Sequence, residues 1–425
     1  MSAAPTQDNR WRRKVLPLML FLIRLVGVAV IRSIYKIQVV HPERIPATGG
    51  VLLLPNHVTF ADGFFISASC PRPVRFVMDE AFTASRAIRR FVGIFDTVTI
   101  RRDQPREAIR ITIDALKRGH VVCLFPEGQL TRTGTLSELR RGFELIARKA
   151  GHPLIPVWCD GAWGSIFSFE RGRFFRKLPY RVPYGMAVAF GEEIAPENAD
   201  LEIVRNGLLV ASAAAIAKRF DGARWCARIP AGDPRAVEKF RATPAATRRQ
   251  IWINGHQIGQ VNGLQRRHPF HILKADFDQF DLPGLLLTFP ELCGVTVKIF
   301  EAFDAREPRV WVGGEHLRKL LETTPPRENT TFYDFSHSAT FPLEGPKLLH
   351  LPCLAAAGRV IAMSMPHPPS ASASEPQAGH KLGTWGKLLP GWYLENSRIH
   401  GPAGPDEGIE LPAGSVLDAE GFLVP

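Results

Sequence analysis

The sequence predicts an α/β domain built on a mostly parallel sheet flanked by helices. A membrane-associated N-terminal helix precedes it, and an accessory α+β region follows. Three observations carry this reading. Short apolar runs alternate with helix-like segments from Gly50 to Gly191, as strands joined by crossover helices do. The run "VLPLMLFLIRLVGVAVI" (Val15–Ile31) follows the basic cluster Arg10, Arg12, Arg13 and Lys14. Beyond a Pro- and Gly-rich stretch at 225–250 the periodicity weakens.

The N-terminal run has 17 residues and is interrupted by Arg24. A spanning helix needs about 20 apolar residues. The reading is therefore a helix lying in or dipping into the bilayer, its basic cluster on anionic headgroups. Strands are expected at 51–55, 74–78, 97–100, 121–125, 154–158 and 186–190. Helical patterns fall at 62–70, 82–92, 105–118 and 138–150, with another at 201–219. Pro105 suits a first helical turn and Gly119 a helix end. The domains expected are 1–35, the N-terminal helix; 36–225, the catalytic unit; and 226–425, the accessory region. Within the last, 366–380 ("PHPPSASASEPQAGH") has the composition of a low-complexity linker.

Charge is unevenly placed. Residues 1–230 hold 34 Lys+Arg and 20 Asp+Glu, a balance of +14, whereas the remainder holds 19 and 21, a balance of −2. An anionic partner is thus expected for the first half alone. No RNP-type or helix-turn-helix pattern accompanies the basic residues, so nucleic acid is not the expected partner. The basic residues Arg86, Arg89 and Arg90 share one helical face. "RGRFFRKLPYR" (Arg171–Arg181) mixes charge with aromatic rings as interfacial segments do. The six cysteines contain no CxxC pair, which argues against a metal site and a disulfide framework; Cys123 and Cys159 read as core.

The chemistry centres on "NHVTFADG" (Asn56–Gly63). Residues five apart on a regular helix point about 140° from each other. His57 and Asp62 meet only if the histidine lies in the turn leaving a strand and the aspartate opens the next helix. A histidine held by a carboxylate is a general base. Alone, the stretch suits an ordinary turn histidine equally well. Three further pieces join it: "GIFDTVTIRR" (Gly93–Arg102), "LFPEGQLTRTG" (Leu124–Gly134) and "PLIPVW" (Pro153–Trp158). In a parallel sheet, functional residues gather at strand carboxyl ends. "NH" and "PEG" should therefore share one edge.

In this order and spacing the four pieces resemble the 1-acylglycerol-3-phosphate O-acyltransferase family, the glycerolipid acyltransferases with an HxxxxD signature. The similarity covers about residues 35–220. It looks greatest to the acyltransferase module of bifunctional 2-acylglycerophosphoethanolamine acyltransferase/acyl-carrier-protein synthetases. The resemblance implies transfer of a fatty acyl group from acyl-carrier protein or acyl-coenzyme A to the hydroxyl of a lysophospholipid or acylglycerol phosphate. It implies His57 as general base and Asp62 as its orienting partner. Arg102, with Arg101 beside it, matches the acceptor-phosphate arginine; Glu127 and Gly128 match the acceptor-binding motif, with Arg132 nearby; Pro156 matches a structural position. No cofactor and no metal are called for, since a thioester is already activated and no GxSxG elbow is present. The place implied is the cytoplasmic face of the inner membrane.

"GKLLPGWYLE", "RIHGPAG" and "LDAEGFLVP" faintly resemble the late core of AMP-forming acyl ligases. "GTWGKL" (383–388) lacks the spacing of a P-loop. The alternatives are thus a bifunctional acyltransferase and ligase, or a non-catalytic lipid-binding protein that keeps the fold.

Overall fold

A computed structural model describes residues 34–79, 96–100, 105–172, 184–221, 238, 240–260, 270–273, 275–276, 297–300, 302–303, 310–336, 343, 347–368 and 377–425. The expected N-terminal helix, the 82–92 helix with its arginines, Arg101, Arg102 and most of Arg171–Arg181 lie outside the described residues.

The first unit runs β1 (Tyr35–Val40), β2 (Val51–Pro55), α1 (Asp62–Ser69), β3 (Val74–Asp79), β4 (Asp96–Ile100), α2 (Pro105–Lys117), β5 (Val121–Cys123), α3 (Gly142–Ala150), β6 (Leu154–Asp160), β7 (Tyr184–Phe190) and α4 (Leu201–Arg219). The sheet order is β1-β7-β6-β2-β5-β3-β4. From β6 to β4 the strands are parallel; β7 runs antiparallel to β6, and β1 follows β7. β2 sits centrally, and every residue of "VLLLP" is buried. Its side chains alternate between two cores, with Leu52 and Leu54 in one and Val51 and Leu53 in the other. Apolar layers on both faces explain why this strand reads as a continuous hydrophobic run.

The second unit runs α5 (Ala245–Gly259), β8 (Phe270–Leu273), β9 (Val297–Phe300), β10 (Val310–Gly313), α6 (Glu315–Thr323), β11 (Thr330–Asp334), β12 (Leu348–Ala356), β13 (Arg359–Met363) and β14 (Lys387–Leu388). Its sheet order is β14-β13-β12-β11-β10-β8-β9. Where the sequence suggested an α+β region, the described strands from β9 to β12 are parallel, and β13 alone is reversed, antiparallel to both β12 and β14. Small antiparallel sheets complete the C-terminus. One apolar cluster joins the units, from Leu52 and Trp158 through Leu208 and Ile216 to Trp252, Val360 and Trp392. The flanks of the low-complexity segment are anchored: Met365 N–H donates to Gly379 C=O at 2.9 Å, and His367 stacks on His380. Residues 369–376 between them lie outside the description.

Candidate active site

β2 and β5 are neighbours, so the turns leaving them stand side by side at the carboxyl edge. The turn after β2 begins with Asn56, which is 2% exposed. Its Oδ1 accepts the Cys159 N–H at 2.7 Å, and its Nδ2 donates to the Cys159 carbonyl at 3.3 Å. This two-point contact ties the turn to β6.

Asp62 opens α1 and is fully buried. Its Oδ2 accepts from His57 Nδ1 at 3.1 Å, Val58 N–H at 2.7 Å and Thr59 N–H at 2.9 Å. Its Oδ1 accepts the Thr59 hydroxyl at 2.7 Å. A carboxylate has only acceptors, so His57 Nδ1 carries a proton, and in the neutral ring Nε2 is the nitrogen with the lone pair. The His57 side chain is 21% exposed, and its ring stacks on Phe125 with centroids 3.9 Å apart. The sequence spacing is thereby resolved: strand-end turn and first helical turn fold back on one another.

The turn after β5 carries Glu127, which is 2% exposed. Its Oε1 accepts the His57 N–H at 2.7 Å, and its Oε2 accepts the Ser137 N–H at 2.8 Å. Thr131 N–H donates to the His57 carbonyl at 2.7 Å. Both main-chain groups of His57 are therefore held by the 127–137 loop. Both Glu127 oxygens thus face main-chain donors, one of them in the turn that carries His57. Burial raises its pKa, against the lowering effect of those two N–H groups.

Gly128 has φ +66°, and a Cβ there would stand 2.7 Å from Arg140 Nε. The left-handed conformation and this close approach both favour glycine. Arg132 is 7% exposed, with its guanidinium carbon 4.7 Å from the Phe169 ring centroid. Burial lowers its pKa. Hydroxyl contacts among Thr131, Thr133 and Thr135 brace the loop.

His57, Glu127, Gly128 and Arg132 thus lie in two adjacent loops, with Asp62 on the first turn of α1. Sequence reasoning missed Asn56, Thr59 and Phe125. Thr59 had a signal: in "TFAD" an acid three residues on can reach back to the threonine's N–H, as Asp62 does here.

Residues 36–160, which span most of the first sheet and both loops, match the family model described as Acyltransferase. A chloroplastic 1-acyl-sn-glycerol-3-phosphate acyltransferase of Brassica napus is 25% identical over 157 residues, which is 36% of this chain and 44% of that one. Another, from Arabidopsis thaliana, is 24% identical over 33% of this chain and 40% of its own. A probable 1-acyl-sn-glycerol-3-phosphate acyltransferase of Mycoplasma pneumoniae is 23% identical, over 41% of this chain and 68% of that one. The chain thus spans less than half the length of the two plant relatives. Among solved structures, the PlsC lysophosphatidic acid acyltransferase of Thermotoga maritima matches 56% of this chain and 85% of its own, at 18% identity and TM-score 0.35.

Proposed function

We propose that this protein is an O-acyltransferase that moves a fatty acyl group from a thioester to the hydroxyl of a lysophospholipid or acylglycerol phosphate. The observation that carries the reading is the His57 Nδ1–Asp62 Oδ2 contact of 3.1 Å, with Asp62 held by three further donors. Binding alone needs no such pair.

In this mechanism His57 Nε2 takes the proton of the acceptor hydroxyl as its oxygen attacks the thioester carbonyl carbon. Asp62 stabilises the imidazolium so formed. As the tetrahedral intermediate collapses, the C–S bond breaks and the leaving thiolate takes the proton from Nε2. A new ester and a free thiol result, and His57 is neutral again. General base catalysis of this kind contributes roughly 10²–10⁴-fold. The donor is acyl-carrier protein or acyl-coenzyme A. Arg102, with Arg101 beside it, and the Gly128 turn, with Arg132 nearby, receive the acceptor phosphate. The basic N-terminal segment supports action at an anionic membrane surface, on the cytoplasmic face of the inner membrane.

The test uses purified full-length protein, a radiolabelled acyl thioester of each donor type and a lysolipid panel. Labelled diacyl product with at least one acceptor supports the reading. No product with any pair overturns it.

A further inference from the structure

The loop that holds His57 is itself held from the second unit. Gln377, 9% exposed, spans the main chain there: its Oε1 accepts the Arg132 N–H at 2.8 Å, and its Nε2 donates to the Leu130 carbonyl at 2.9 Å. These bonds bracket Thr131, whose own N–H donates to the His57 carbonyl. At Gly134, with φ +81°, a Cβ would stand 1.7 Å from the Gln260 carbonyl oxygen, so the residue after α5 abuts the same loop.

Lys387, on β14, is 3% exposed. It lines a cavity of about 180 Å³ together with Glu127, Gln129, Arg140 and Gln377. Among the described residues its ammonium makes no hydrogen bond or ion pair; the Phe422 ring centroid lies 5.0 Å away. The charges facing it are Glu127, Glu138 and Arg140 of the first unit's loop, Asp418 and Glu420 of the C-terminus, and Arg205 of α4. Glu420 and Asp418 already pair with Lys381, while Glu127 has only N–H donors. Burial lowers the Lys387 pKa to about 8, against the pull of Glu127, Glu420 and Asp418.

We propose that the second unit completes the acyltransferase site, with Gln377 and Lys387 as positioning residues for His57. Gln377 fixes the main chain from Leu130 to Arg132. Lys387 supplies the counter-charge to Glu127 across the cavity. The kinetic consequences rest on the acyltransferase reading, whereas the contacts do not.

The test compares full-length wild type with Gln377→Ala, Lys387→Met, Lys387→Arg and the control Leu382→Ala, whose side chain is 77% exposed. Amide hydrogen exchange of residues 127–137 is measured first, because it needs no activity. In Gln377→Ala, exchange at Arg132 should rise about tenfold or more as its N–H loses a buried partner. Acyl transfer is then followed across pH. In Gln377→Ala, kcat should fall about 10- to 100-fold with donor KM unchanged, because a small displacement of a catalytic group is costly. In Lys387→Met the acid limb of kcat/KM should move to higher pH, since Glu127 holds its proton more tightly without the ammonium. Lys387→Arg should restore the limb, and Leu382→Ala should match wild type.

Wild-type exchange in Gln377→Ala overturns the clamp. Faster exchange with unchanged kcat and unchanged pH profiles overturns the positioning role. Should Gln377→Ala fail to fold, the Lys387 pair decides by the limb and its rescue. Absence of turnover by wild type would sink the acyltransferase reading and with it the positioning role, while exchange still judges the clamp.

Discussion

Glu127 grips the main chain of His57: its Oε1 accepts the histidine's backbone N–H at 2.7 Å, while its Oε2 takes the Ser137 N–H. A glutamine cannot replace it, because the amide nitrogen would face one of the two donors. Glu127→Gln should cost about 1–3 kcal/mol of stability through that unpaired N–H. It should also lower kcat with little change in acceptor KM, since both carboxylate oxygens are taken by main-chain donors. Denaturant unfolding and steady-state kinetics check both effects. An acceptor KM that rises while kcat holds would return Glu127 to the acceptor site.

His57→Ala should lower turnover about 10²–10⁴-fold while leaving the fold intact, because that side chain is only partly buried. Asp62→Asn should behave differently. Asp62 receives two main-chain N–H groups and a hydroxyl besides the imidazole. The asparagine should therefore lose both rate and thermal stability. Circular dichroism melts beside turnover separate the two. A folded His57→Ala variant with near-wild-type rate would end the general-base mechanism.

Asp160 predicts an acid sensitivity. It ends β6 and is fully buried against Arg219, Gln260 Nε2 at 2.8 Å and His256 Nε2 at 3.3 Å. Burial pushes its pKa up, but Arg219 and His256 outweigh that and hold it well below the usual 3.8. Burial and Arg219 also hold His256 below its usual 6.5. For both groups the unfolded chain binds protons more readily than the folded one. Stability should therefore fall as pH drops below 6.5 through His256, and further below 3.8 through Asp160. Asp160→Asn leaves the part-buried Arg219 without its counter-ion and should lower stability at neutral pH. Its deficit should shrink in acid. Urea unfolding at stepped pH tests this, and a deficit that stays constant down to low pH would contradict it.

The first sheet was legible because buried parallel strands are continuous apolar runs; β2, β3, β6 and β7 fall where the sequence puts them. The edge strand β1 was not, since "YKIQVV" mixes Lys36 and Gln38 into a short run. The pair His57 and Asp62 was legible because its geometry is local. The roles of Glu127 and Gln377 were not: one reaches a residue 70 positions away and the other 245. Such contacts leave no periodic trace in the chain. Gln377 also sits in a stretch whose composition reads as linker. In the second unit, β12 ("LLHLPCLAA") carries His350 and Pro352 within its run, which blurs the strand pattern.

The proposed acyl transfer to a lysolipid requires an acceptor drawn from a bilayer. Among the described residues no helix is long and apolar enough to cross one. The basic-apolar run at 10–31 lies outside them and is the part of the sequence suited to an anionic surface. Deleting residues 1–31 should reduce sedimentation with anionic vesicles, and added salt should weaken binding of the full chain. Equal sedimentation of both forms would refute the anchor.

The last prediction is that this chain does not activate its own fatty acid. In the second sheet, β9 and β10 flank β8 on opposite sides, so the crevice beyond β8 and β10 is a switch point. Ligands commonly bind at such crevices, and α6 begins there after Gly313 and Gly314. A helix N-terminus in that place would suit a phosphate. Here the chain's own carboxylate takes it. Asp276 is fully buried, and its Oδ2 accepts the Leu317 N–H at 3.1 Å. The main-chain N–H groups of Gly314 and His316 also favour its charged form, against the raising effect of burial. A Cβ at Gly313 would stand 2.9 Å from Asp276 Oδ2, so the carboxylate lies directly on the turn. A phosphate entering there would meet negative charge instead of open donors. Residues 231–425 also hold no Ser/Thr/Gly-rich loop followed by lysine that could grip a triphosphate, since "GTWGKL" lacks the spacing. Acyl transfer by this chain should therefore require a preformed thioester. Free fatty acid, ATP, magnesium and carrier protein given to the pure full-length chain should yield neither acylated lipid nor pyrophosphate. Release of pyrophosphate that depends on fatty acid would overturn this and establish ligase activity in the second unit.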